Sequence, residues 1–131
     1  MLTVCQVLHE GVIYRHLILT VPAMFRMTFY HNAAVVLSAF MRCGARCLDD
    51  FYSTVKGKRL QGGYITVLHT HGRHGQYHPH LHVLATSGGY EAEGARWEHR
   101  DYLPYALLRR KWQWHLLTRL RQTLKTGAIK Q

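Results

Sequence analysis

The sequence predicts an α+β fold in which helices pack on an antiparallel sheet. Two long segments carry apolar residues at spacings of three and four, the mark of a buried helical face. Three shorter runs rich in β-branched and aromatic residues read as strands, and two of these are joined by a loop short enough to make a hairpin. At 131 residues with 47% apolar composition, the chain can bury a core and lies far from the composition of disordered segments. No repeat, low-complexity tract or Pro/Ser-rich linker divides it, so one domain over residues 1–131 is expected.

The first strand is Val12 to Thr20 (VIYRHLILT), stopped by Pro22. From Asn32 to about Val55, the residues Leu37, Phe40, Met41, Leu48, Phe51, Tyr52 and Val55 define one helical stripe. Gly44 lies on that stripe, where the missing side chain lets a strand come close. A basic, turn-rich connection, Lys56 to Gly63 (KGKRLQGG), leads into a second strand, Tyr64 to Thr70 (YITVLHT). After a loop marked by Gly72 and Gly75 comes a third strand, His80 to Thr86 (HLHVLAT), which Gly88 and Gly89 are expected to close. An irregular polar stretch then precedes a basic amphipathic helix with Leu108, Trp112, Leu116, Leu120 and Leu124 at intervals of four and Pro104 in its first turn.

Seventeen Lys and Arg against seven Asp and Glu leave a net charge of +10 with histidine neutral, which points to a polyanionic partner. The longest mostly apolar run, Ala33 to Met41, is about half the roughly 20 residues of a membrane helix, so no membrane span is expected. His9 and Glu10 interrupt the N-terminus before any secretory apolar core forms. Three cysteines without a CxxC spacing, two of them (Cys43 and Cys47) on one helix, read as packing residues of a reduced, cytoplasmic protein.

Six of the eleven histidines fall between His69 and His82, in HTHGRHGQYHPHLH, and this is where chemistry is expected. On a strand, residues i and i+2 face the same way with Cα atoms about 6.5–7 Å apart, so His80 and His82 can converge on one cation while Leu81 anchors the strand in the core. His78 has the same parity, but Pro79 would then face the core from inside a strand, and proline prefers a strand's start or edge. The pair His80/His82 is therefore the expected metal half-site, with His69 or His78 as candidate third ligand, His69 being otherwise an outer partner of the pair, as the strand register decides. His71 and His74 read as solvated loop residues.

The HPHLH run at 78–82 resembles the His–hydrophobic–His signature of the HUH nucleases, in the form found in IS91-type and IS801-type transposases. YRHLILTVP at 14–22, TVLHTHGR at 66–73, HPHLHVLATSGG at 78–89 and YLPYALLRRKWQWHLL at 102–117 resemble stretches of that transposase domain in the same order. The resemblance implies an HUH nuclease-like fold and a single-strand DNA transposase. In that chemistry a tyrosine attacks a phosphodiester, leaving a 5′ phosphotyrosine and a free 3′ hydroxyl, assisted by a divalent cation on the two histidines. Mn²⁺ or Mg²⁺ is the expected cofactor, imidazole suiting manganese better than the oxygen-loving magnesium. The family's paired nucleophilic tyrosines lie on a helix downstream of these motifs and its cysteine-rich segment upstream, so the chain reads as an internal fragment truncated at both ends. Tyr102 and Tyr105 are the only tyrosines near a late helix, and their YLPY setting departs from the family's tyrosine helix.

Single-stranded DNA is the expected partner. Lys56, Lys58, Arg59 and Arg73 in loops, and Arg109, Arg110 and Lys111 on the last helix, are the candidate phosphate contacts, with Trp114 as a candidate base-stacking residue. Two rival readings are a non-catalytic basic nucleic-acid-binding module and a zinc hydrolase using His78, His80 and His82. The first has no need of two histidines on one strand face. The second needs a carboxylate base, and no Asp or Glu lies between His69 and Gly89.

Overall fold

Alternation of apolar and polar residues in Tyr14–Thr20 forms β1, with Leu17 and Leu19 buried and His16, Ile18 and Thr20 on the exposed side. This computed structural model describes residues 11–54, 59–91, 96–100 and 103–127. After Pro22 the chain makes a 3-10 turn, Ala23–Phe25, and a short helix α1, Arg26–His31, followed by the long helix α2, Ala33–Thr54. Strand β2 is Leu60–Gln61, β3 is Tyr64–His71 and β4 is Tyr77–Thr86. Two further strands, β5 (Gly88–Glu91) and β6 (Arg96–His99), precede helix α3, Tyr105–Lys125.

The larger sheet has the order β1-β4-β3, antiparallel throughout, so β4 is its central strand. Odd-numbered residues of β4, Pro79, Leu81, Val83 and Ala85, are buried against the helices together with Leu17, Leu19 and Val21. Helix α2 contributes Val36, Phe40, Cys43, Cys47, Leu48 and Phe51, and α3 contributes Leu108, Trp112, Leu116 and Leu120. The stripes meet where Phe40 packs on Trp112 at 5.4 Å between ring centroids, and the Trp112 indole donates to the Thr20 carbonyl at 2.9 Å. Cys43 and Cys47 are free and buried, and burial pushes the Cys47 thiol up to about 12, as befits packing residues. Met41 and Leu124, expected on the two stripes, are instead exposed at their edges.

Three local expectations are corrected. The third strand begins at Tyr77 rather than His80, with Pro79 inside it and fully buried. Proline is tolerated there because the β3–β4 register shifts between His69 and His71: His69 pairs with His80 but His71 pairs with Tyr77, a bulge that removes the ladder bond Pro79 could not donate. Gly88 and Gly89 do not end the sheet structure; they open β5 at the centre of a second small sheet, β2-β5-β6. Gly88 has φ +123, and a Cβ on Gly89 would lie 2.7 Å from the Gln61 carbonyl oxygen, so glycine serves close strand approach here. The stretch expected to be irregular therefore contains β6, paired antiparallel with β5.

Candidate metal centre

The face of the larger sheet turned away from the two long helices carries the imidazoles. His80 and His82 project from it on β4, and His69 faces His80 directly across the β3–β4 ladder. His69, His80 and His82 each offer a ring nitrogen, and these three atoms lie within 4.8 Å of one another. Ring centroids are 4.8 Å apart for His80–His82, 4.3 Å for His69–His82 and 5.3 Å for His69–His80. Among the described residues this is the one group of three such side chains close enough to share an ion. Ile18 and Val67, which flank His82 on either side in the register, are 53% and 49% exposed, so the face is open to a large ligand.

Two of the three rings have surroundings that leave a lone pair for a cation. The Nδ1 atom of His80 lies 2.6 Å from the His78 carbonyl oxygen, and a carbonyl only accepts. His80 therefore carries its proton on Nδ1, and in the neutral ring its Nε2 lone pair is left for a ligand. Burial, followed by the neighbouring His69, His80 and His16, lowers the pKa of His82 below the usual imidazole value and favours the neutral form that ligates. The Nδ1 of His82 is 2.9 Å from Nε2 of His16, a residue of β1.

Of the two candidate third ligands, the structure brings His69 into the set. His78 stands beside it, its ring 5.4 Å from that of His80 and its carbonyl engaged by His80. Burial and the nearby Arg26 guanidinium lower the His78 pKa. His71 lies past the bulge against Tyr77, at 5.6 Å, and His74 is in the exposed β3–β4 turn with Arg73.

The remaining candidates are dispersed. Arg109, Arg110 and Trp114 are exposed on α3, in the helical layer on the opposite side of the sheet from the imidazoles. Lys111 is half-buried and bonded to Asp50 of α2 at 3.0 Å, which makes it a tie between helices. Arg59 is exposed just before β2, while Lys56, Lys58 and Tyr102 lie outside the described residues. Tyr105 is the first residue of α3 and is exposed rather than packed on the sheet. The closeness of Arg26 to His78 is not legible in the sequence, because α1 is too short to show a period. Tyr30 packs edge-on against Tyr77 at 5.2 Å and is largely exposed.

A family model described as "Putative transposase" matches residues 63–131, from just before β3 through α3. The "Transposase for insertion sequence element IS801" of Pseudomonas savastanoi pv. phaseolicola is 34% identical over 101 residues, covering 77% of this chain and 23% of that protein. The "Putative transposase y4qJ" of Sinorhizobium fredii is 28% identical over 119 residues, 88% of this chain and 30% of that protein. The chain belongs to the IS91/IS801-type transposase family. It spans less than a third of the length of these curated relatives. No solved structure gives a significant match.

Proposed function

We propose that this domain, HUH nuclease-like in arrangement, supplies the cation-binding half of a transposase site that nicks and rejoins single-stranded DNA, with His69, His80 and His82 as the protein ligands. The observation that carries the reading is the convergence of three imidazole nitrogens within 4.8 Å on an exposed sheet face. Strand β4 holds His80 and His82 rigidly, since Leu81 between them is fully buried, and the hairpin register brings His69 across from β3. A divalent cation bound there supplies Lewis-acid polarisation of a scissile phosphate and a template for in-line attack. Mn²⁺ fits an imidazole-rich set better than Mg²⁺. In the complete reaction a tyrosine oxygen forms a bond to phosphorus while the bond from phosphorus to the 3′ oxygen breaks, leaving a 5′ phosphotyrosine and a 3′ hydroxyl.

Titration of the 131-residue chain with Mn²⁺, followed by calorimetry or by the EPR signal of the free ion, tests the reading. One ion per chain is expected. His80→Ala with His82→Ala should abolish binding, and His69→Ala should weaken it. His71→Ala and His74→Ala should leave it unchanged. Retention of full affinity by the His80/His82 double variant would overturn the assignment.

A further inference from the structure

We propose that His16 is a positioning residue for the cation site, accepting the Nδ1–H of His82 and so holding the Nε2 lone pair of His82 toward the ion. This role rests on the reading of the imidazole trio as a cation site. It falls to a residue far upstream in sequence, on a different strand.

The register gives His80 and His82 different partners. His78 has no ladder partner in the register of either neighbouring strand, so its carbonyl is free to accept the Nδ1–H of His80 at 2.6 Å. His82 sits where β4 is paired on both sides, with Ile18 of β1 and Val67 of β3. The strand backbone on both sides of it is engaged in the ladders, and its Nδ1 meets a side chain from a neighbouring strand instead. His16 is two residues before Ile18, on the same exposed face of β1, and its Nε2 lies 2.9 Å from that Nδ1.

The two rings are parallel within 7° with centroids 5.1 Å apart. That separation is close to the N···N distance plus one ring radius at each end, so the rings lie side by side in an in-plane N–H···N bond. One nitrogen of the pair carries the proton and the other the lone pair. With the proton on His82 Nδ1, His82 offers Nε2 to a cation. With it on His16 Nε2, the neutral His82 ring carries its proton on Nε2 and is blocked as a ligand. Binding of the ion selects the first arrangement, and His16 Nε2 is then occupied as an acceptor and unavailable as a ligand.

His16→Phe keeps a flat ring but removes the acceptor, and His16→Gln places a carbonyl oxygen near the position of the imidazole Nε2. Mn²⁺ affinity of the 131-residue chain should fall about 10- to 100-fold in His16→Phe, the range found when metal-bound histidine is deprived of its outer partner. In His16→Gln it should stay within about threefold of the parent, below that range. Pulsed EPR of bound Mn²⁺ should count the same number of directly coordinated imidazoles in parent and His16→Gln. Unchanged affinity in His16→Phe, equal loss in both variants, or a drop of one coordinated imidazole in His16→Gln would overturn the proposal. A His80→Ala/His82→Ala chain that still binds Mn²⁺ tightly would instead remove the cation-site reading on which it rests.

Discussion

Asp50 ties the two long helices together through one carboxylate, accepting from Lys111 Nζ at 3.0 Å and from His115 Nε2 at 2.9 Å. Burial would raise its pKa, but the hydrogen bonds from His115 and Lys111 outweigh that and hold the carboxyl below its usual range. Because the folded-state pKa is depressed, the stabilisation is present above about pH 4, where the unfolded carboxyl is already ionised, and is lost as pH falls through the folded value. Asp50→Ala should therefore cost about 1–2 kcal/mol at neutral pH, a modest figure because the group is a third exposed, and the difference from the parent should shrink under acid. Urea unfolding at pH 7 and at pH 3 measures this; an equal deficit at both would remove the carboxylate from the account. In sequence Lys111 is simply one cation in Arg-Arg-Lys, since nothing local shows that Asp50 lies opposite it. His80 and His82 are legible because period two alone puts them on one face. Choosing His69 over His78 requires the hairpin register, and His16 requires knowing that β1 lies beside β4.

Gly44 is the point where α2 rests on the strand that carries the histidines. A Cβ there would lie 2.6 Å from Leu81 Cδ1, and Leu81 is fully buried between His80 and His82. Gly44→Val should destabilise the fold by about 1–3 kcal/mol through overpacking, and it should also weaken Mn²⁺ binding because β4 must shift to make room. Gly44→Ala should cost less, as about 1 kcal/mol of helix propensity offsets the contact. Chemical denaturation and metal titration of both variants test this, and a Gly44→Val chain with parental stability would show that α2 does not support β4. The elements that sequence periodicity reveals are the ones long enough to have a period: β1, α2, β3, β4 and α3. The six residues of α1, the two of β2 and the four each of β5 and β6 hold their form through neighbours. Gly88 and Gly89 look like a loop because glycine marks both a turn and a close strand contact, and only the pairing of β5 with β2 and β6 distinguishes them.

At the scale of the whole molecule, the sheet separates two surfaces that the net charge of +10 alone would merge. One side bears the imidazoles, with Arg26 close to His78 and Arg73 in the adjoining turn. The other is the helical layer, with exposed Arg109, Arg110 and Trp114 on α3. A DNA strand whose phosphate reaches the cation site lies against the first surface and meets α3 only by rounding an edge of the molecule. Binding to single-stranded DNA should therefore divide into a Mn²⁺-dependent increment and a metal-independent, salt-sensitive part. Replacing Arg109 and Arg110 by Ala should lower the dependence of log affinity on log salt by about 0.7 for each phosphate no longer neutralised, while leaving the Mn²⁺ increment intact. Replacing Arg26 and Arg73 should diminish that increment, since a strand seated at the imidazoles passes these two cations. Fluorescence anisotropy with a labelled oligonucleotide, over a salt series with and without Mn²⁺, separates the two parts. If the Arg109/Arg110 variant lost the Mn²⁺ increment while the Arg26/Arg73 variant kept it, the strand would have to touch both surfaces at once, and the assignment of the nicking face to the open side of the sheet would fail.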